Sequence, residues 1–201
     1  MTFQVDTLRP RSFILALVLA VICTGCVPLP FDYYAPEAPG GKTYASACKH
    51  KWGPPDTISF EMYEVEFDAD VTKTDHGIHV YIQFHVPEGK EVRLKDETIY
   101  VSVPSSATPI TAQMRPAYPP TWKIDEPMHG STEQRHYAWY VGGGNETLHA
   151  WYAGYVDVTM PKSESLSIRF PEFTVNGQLV HIPDIKFQWR FYIEPLMPLN
   201  C

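Results

Sequence analysis

The sequence lacks an apolar run long enough to cross a membrane as a helix. Its longest run, Phe13 to Cys23, holds 11 residues, whereas a helix needs roughly 20 to span ~30 Å of hydrocarbon. A retained transmembrane helix is therefore not expected. The run follows Arg9 and Arg11 and is followed by small residues, which is the pattern of a secretory signal peptide over residues 1–25.

Basic residues are also scarce. The chain has 16 lysines and arginines against 23 aspartates and glutamates, a formal net charge of −7. Nucleic acids and anionic lipid surfaces are bound through clustered basic side chains, so neither is an expected partner. Loss of residues 1–25 would leave a mature chain of 176 residues with a formal charge of −8.

Familiar catalytic motifs and helical patterns are missing as well. There is no G-x-S-x-G, no H-E-x-x-H and no complete phosphate-binding loop. No segment bounded by helix caps repeats apolar residues at helical spacing, and the chain carries 19 prolines. The sequence therefore predicts a β protein, with no cofactor, no metal site and no assigned catalytic residue.

After the apolar run, the small residues Thr24 and Gly25 precede Cys26. A general signal peptidase would accept Cys23 and Gly25 at the third and first positions before a cut. The same stretch, up to Cys26, resembles the processing motif of bacterial lipoproteins, in which the cysteine after the cut receives a diacylglycerol. It departs from that motif at Cys23, where leucine is usual.

Cysteine parity favours lipidation over plain secretion. Removal of the signal peptide leaves Cys26, Cys48 and Cys201, an odd number for an exported chain. Lipidation would use Cys26, and we expect a disulfide between Cys48 and Cys201 to join the two ends of the domain. Closing a loop of that length is worth about 5 kcal/mol in chain-entropy terms. The wide spacing of the pair does not favour a redox-active role.

The resemblance to lipoproteins implies a location. It implies attachment to a membrane through the lipid anchor, and two or three acyl chains would give stable anchoring, which one chain alone does not. Val27 stands where aspartate marks retention in the inner membrane, which implies the outer membrane, facing the periplasm, in a Gram-negative source. The segment 173–187 and the terminal Cys201 resemble uncharacterised lipoproteins, which implies no activity.

The rest of the chain divides into a tether and one domain. Residues 26–43 are rich in proline and glycine and show no periodicity, so we interpret them as a lipidated N-terminus and tether. Residues 44–201 are expected to form a single antiparallel β-sandwich of immunoglobulin-like type. Strand patterns at intervals of about ten residues predict eight or nine strands.

Alternation of apolar and polar residues places the strands. It is clearest over 77–86, and we also interpret 59–71 as one strand with Phe60 and Glu66 on the same face. Asn176-Gly177 predicts a two-residue hairpin turn. Further strands are expected at 98–103, 165–170 and 185–193, with a hairpin over 135–160 after an irregular region, 104–134, that has a short strand near 109–114.

Aromatic residues crowd the hairpin over 135–160, and we call them the aromatic hairpin. Exposed rings would stack on a sugar or bind a peptide, whereas rings paired across the strands would stabilise the sheet. The second interpretation is favoured, and the first is kept as an alternative. The candidate binding residues are Tyr137, Trp139, Tyr140, Trp151 and Tyr152.

Three functions remain open. The leading expectation is a non-catalytic envelope lipoprotein with a structural, assembly or protein-binding role. The second is a carbohydrate- or peptidoglycan-binding module that uses the aromatic hairpin. The third is a hydrolase with an unrecognised site, for which the candidates are Asp125, Glu126, His129, Glu133 and His136.

Overall fold

A computed structural model describes residues 30–46, 53–117, 123, 126–137 and 144–193. Residues Asp32–Phe191 form one compact unit. A second unit comprises Met1–Phe31 and Tyr192–Cys201, of which only the strand residues 30–31 and 192–193 are described. Within the described residues, no helix is long and apolar enough to cross a membrane.

Every regular element of the described residues is a β-strand, so the all-β prediction is confirmed. Each pairing with a described register is antiparallel. The strands are β1 (Pro30–Glu37), β2 (Lys42–Tyr44), β3 (Thr57–Met62), β4 (Val65–Thr74), β5 (Gly77–Val86), β6 (Glu91–Leu94), β7 (Thr98–Ser102), β8 (Ile110–Gln113), β9 (Arg115–Pro116), β10 (Met128–His129), β11 (Thr132–Tyr137), β12 (Gly144–Thr159), β13 (Ser165–Arg169), β14 (Phe173–Val175), β15 (Gln178–Val180) and β16 (Ile185–Ile193).

These strands form three sheets. The largest has the order β11-β12-β5-β4-β3-β2, with β9 also paired to β12. A five-stranded sheet has the order β1-β16-β13-β7-β8, and a four-stranded sheet has the order β10-β6-β14-β15. This arrangement of antiparallel sheets is consistent with a β-sandwich.

The sheets share one apolar core. Alternate residues of β5, from Ile78 to Val86, are buried, which confirms the strand predicted from their spacing. Phe67 and Phe84 on the largest sheet contact Phe173 on β14, with ring centroids 6.3 Å and 5.2 Å away. Burial of aromatic rings of this size is the main source of core stability.

The strand count differs from the expectation of eight or nine, because the described residues alone contain sixteen strands. One cause is the segment 59–71, which is two strands and not one. Met62 pairs with Val65, so Tyr63 and Glu64 form a two-residue loop. That loop changes the parity of the alternation: Phe60 lies in the core opposite Phe67, whereas Glu66 faces solvent.

The interpretation of 26–43 as a tether needs correction from residue 30 onward. β1 joins the five-stranded sheet, and Tyr34 is buried with its hydroxyl donating to the Ser163 carbonyl at 2.8 Å. The Tyr34 ring also meets the Trp189 ring edge-on, 5.1 Å between centroids. The prolines were compatible with this strand because β1 lies at the edge of its sheet, where a missing backbone donor is tolerated.

Two predicted hairpins are present. β11 pairs with β12, with residues 138–143 outside the described residues, and β14 pairs with β15 around Asn176-Gly177. In the segment 104–134, predicted as irregular, β8 lies where a short strand was expected.

The Tyr63-Glu64 loop generates a stability prediction. Both residues have positive φ, 52° and 70°, which costs about 1–2 kcal/mol per residue without glycine. Asn-Gly favours this turn. Replacing the pair (Tyr63→Asn with Glu64→Gly) should raise the free energy of unfolding by about 1 kcal/mol in urea titration, after loss of the exposed Lys90–Glu64 ion pair.

The control is Gly177→Ala, at φ 79° and with open space around the added methyl group. It should lower the free energy of unfolding by about 1 kcal/mol for the same conformational reason. Equal or lower stability of the Asn-Gly variant would contradict the account of this turn.

Candidate functional site: an acidic pocket on the outer sheet face

Polar side chains gather on the face of the largest sheet that points away from the core, which we call the outer face. The register aligns Gln83, Asp68 and Ser59 across β5, β4 and β3. The neighbouring row aligns Tyr81 with Asp70. A cavity of about 240 Å³ opens here, which we call the acidic pocket, lined chiefly by Tyr44, Glu66, Asp68, Asp70, Tyr81 and His85.

Asp68 is the most deeply placed charged residue of the pocket. Its neighbours in sequence, Phe67 and Ala69, are buried in the core, and Asp68 itself is only 7% exposed. Oδ2 lies 3.3 Å from Nε2 of His85, but Oδ1 is buried without a hydrogen-bond partner among the described residues. Buried polar atoms are nearly always paired, so this oxygen is an exception that needs an explanation.

Tyr44 covers the pocket from β2. Its backbone pairs with Thr57, and its hydroxyl makes a hydrogen bond to the Asp68 side chain. Burial, together with this hydrogen bond and the nearby negative charge, raises the pKa of the Tyr44 phenol far above its ordinary value. The hydroxyl therefore stays protonated and donates to the carboxylate.

Asp70 lies two residues along the same face of β4. Burial raises its pKa to about 7, and the negative charges of Asp56 and Asp68 add to the effect, while His79 acts in the opposite direction. The Asp70 carboxyl therefore changes its charge near neutral pH. Carboxyl groups that lie close together and partly away from water are destabilised in their charged form unless a cation is near.

His85 is the basic side chain closest to Asp68 in the pocket. Burial acts to lower the pKa of the His85 imidazole, but the hydrogen bond to Asp68 and the charges of Asp68 and Glu66 outweigh it, so the pKa is raised. Glu66 also accepts a hydrogen bond from the Ser59 hydroxyl at 2.8 Å. No lysine or arginine of the described chain lines the pocket, so it is suited to a positively charged ligand.

Of the five candidate binding residues in the aromatic hairpin, the structure describes the side chains of two. Trp151 lies on the outer face opposite His85 and is 37% exposed. Tyr152 points to the other face, packs against the core and donates its hydroxyl to the His129 carbonyl at 2.7 Å. Tyr137 is described only by its backbone pairing with Gly144, and Trp139 and Tyr140 lie outside the described residues, as do Cys26, Cys48 and Cys201.

The hydrolase candidates with described side chains have separate partners. Glu126 binds Lys123 at 2.7 Å, and His129 Nδ1 lies 3.7 Å from Glu91. Glu133 is exposed, only the backbone of His136 is described, and Asp125 lies outside the described residues. Among the residues described, no three histidine, cysteine or acidic side chains are arranged to hold a metal.

Sequence reasoning missed the acidic pocket, although the signal was present. Glu66, Asp68 and Asp70 alternate with apolar residues, which places three carboxylates on one face of a strand. Interpreting 59–71 as one strand hid this pattern, because it grouped Glu66 with Phe60.

In comparisons with known proteins, no family model, no curated protein and no solved structure matches this chain. The geometry of the pocket is therefore the basis for the functional argument.

The raised pKa of Asp70 predicts a pH effect on stability. Between about pH 4 and pH 7 the folded chain holds a proton that the unfolded chain releases, so the Asp70 contribution falls as pH rises through this window. Asp70→Asn removes the effect. The free energy of unfolding of Asp70→Asn minus that of the wild type should be larger at pH 8 than at pH 4, by on the order of 2 kcal/mol.

Urea titrations at both pH values measure this difference. The exposed Asp184→Asn serves as the control for simple loss of one negative charge. A wild-type-to-variant difference for Asp70→Asn that is the same at pH 4 and pH 8 would contradict the assignment.

Proposed function

We propose that this chain is a non-catalytic lipoprotein of the bacterial cell envelope, anchored through Cys26, whose β-domain binds a partner through the acidic pocket. In a Gram-negative source the domain would face the periplasm from the outer membrane. Its role is structural, assembly-related or protein-binding, which is the leading expectation from the sequence.

The binding role is carried by one observation, which is that Oδ1 of Asp68 has no hydrogen-bond partner in the part of the chain that the structure describes. Burying a charged oxygen without a hydrogen bond lowers stability. Asp68 lines a pocket that opens to solvent and contains two further carboxylates, Glu66 and Asp70, so this loss of stability falls at a place that a ligand could reach. Such a cost is typical of a site where a ligand supplies the missing donor.

The anchor is supported by the sequence motif. The apolar run ends on small residues and Cys26, and lipidation there would leave Cys48 and Cys201 as an even pair for a disulfide. The immunoglobulin-like arrangement, expected from strand spacing, also stays a prediction.

A second candidate is a glycan-binding module. Trp151 is 37% exposed and pairs across the strands with His85, which lines the acidic pocket. A ring next to hydrogen-bonding carboxylates is a common way to hold a sugar. A glycan-binding module would bind neutral saccharides, whereas the acidic pocket as proposed binds a positively charged ligand. Binding of neutral saccharides therefore distinguishes the two candidates.

The anchor is tested by Cys26→Ser. The wild-type protein should fractionate with membranes, and its intact mass should show loss of residues 1–25, added acyl chains and two hydrogens fewer at Cys48 and Cys201. Cys26→Ser should lose the acyl mass and leave the membrane fraction.

Val27→Ala is the matched control and should stay membrane-bound. A Cys26→Ser protein of wild-type mass that remains in the membrane fraction would overturn the proposed anchoring.

A further inference from the structure

We propose that the acidic pocket binds a primary alkylammonium group, supplied by a lysine side chain of a protein partner or by a small free amine. The inference rests on the proposed function, because it assigns the ligand chemistry of the same pocket.

The hydrogen-bond inventory of the pocket fits an ammonium group. An ammonium nitrogen carries three donors and no acceptor, and Asp68 Oδ1 is a buried acceptor without a partner among the described residues. Asp70 adds a second carboxylate two residues along the same strand face, which places it about 7 Å away along β4. An ammonium group between them would satisfy both.

Charge selects a cation over a neutral ligand. Three carboxylates line the pocket, Asp56 lies close enough to act on Asp70, and His85 is the one basic side chain in the described lining. A positive charge would relieve the repulsion among these carboxylates, whereas a hydroxyl group would leave it in place. An anion would add to it.

Geometry favours ammonium over guanidinium. Arginine binds a carboxylate best through two parallel hydrogen bonds. At Asp68, His85 lies 3.3 Å from Oδ2 and Tyr44 also makes a hydrogen bond to the side chain, so Oδ1 is the oxygen without a partner among the described residues. A single compact charge fits one open oxygen better than a planar fork does.

The walls of the pocket suit an alkyl stem. Tyr44 on β2 and Tyr81 on β5 line it from two sides of β4, and phenol rings attract both methylene groups and cations. A second depression of about 480 Å³ shares Tyr44 and Glu66 with the pocket and extends toward Gly40 and Glu61. This second depression is also lined by Lys42, and the chain on either side of a bound lysine would extend over it.

The test is calorimetric titration of the full mature protein, extracted from membranes in detergent, at pH 8 and low salt. The probes are n-pentylamine and Nα-acetyl-lysine methylamide. The controls are n-pentanol and Nα,Nε-diacetyl-lysine methylamide, which keep the shape and lose the charge. Both amines should bind at least about tenfold more tightly than their neutral counterparts, since charge-assisted hydrogen bonds decide the difference.

The comparison of the two amines identifies the source. Tighter binding of the lysine derivative than of pentylamine assigns a lysine side chain, and equal or weaker binding assigns a free amine. Either result supports the ammonium site.

Asp68→Asn keeps the side-chain shape and should weaken amine binding about tenfold or more. Asp157→Asn is the matched control: it lies on the same sheet face beside a histidine, His79 at 2.8 Å, but outside the pocket. It should leave amine affinity unchanged. Should Asp68→Asn fail to fold, as judged by its melting curve, Asp70→Asn replaces it and should also weaken binding.

Amines that bind no better than the alcohol and the diacetyl derivative, or that bind Asp68→Asn as tightly as the wild type, overturn the inference. So does N-acetylglucosamine binding that depends on Asp68, which assigns the pocket to glycans. Absent amine binding together with Cys26-dependent membrane attachment overturns this inference alone and leaves the anchoring in place.

Discussion

The structure depends on the centre of β4, where the inner face lies in the core and Asp68 on the outer face is buried as well. On the inner face, Phe67 contacts the Phe84 and Phe170 rings at 5.1 Å and 5.3 Å between centroids, in the core that the sheets share. On the outer face, Asp68 is covered almost as completely as its apolar neighbours, at 7% exposure. A central strand of an antiparallel sheet commonly has one face in water. At Asp68 this outer face is covered, so the carboxylate is held away from solvent.

The chemistry of the pocket follows from that burial. Burial raises the pKa of the Asp70 carboxyl to about 7, and the negative charges of Asp56 and Asp68 add to the effect. The same low polarity strengthens the contact between Asp68 and His85. The fold thus places several acidic side chains together with only one histidine, His85, in the described lining of the pocket, an imbalance that a bound cation would correct.

Much of the architecture was predictable because period-two patterns are local. The β5 alternation and the Asn176-Gly177 turn follow directly from residue type. Tyr63-Glu64 hid a hairpin because neither residue favours positive φ; tertiary pairing of β3 with β4 imposes the turn. The place of Tyr34 in the core, and of Tyr44 over Asp68, depends on contacts between distant segments, which no local pattern reports.

The central claim is that Asp68 Oδ1, which has no hydrogen-bond partner among the described residues, accepts a hydrogen bond from a bound ammonium group. A crystal structure of the mature protein with n-pentylamine tests it most directly. The account predicts the amine nitrogen within about 3 Å of Oδ1, with its alkyl chain along Tyr44 or Tyr81. A structure in which Oδ1 instead accepts a hydrogen bond from a group of this chain, with the amine absent from the pocket, would contradict it.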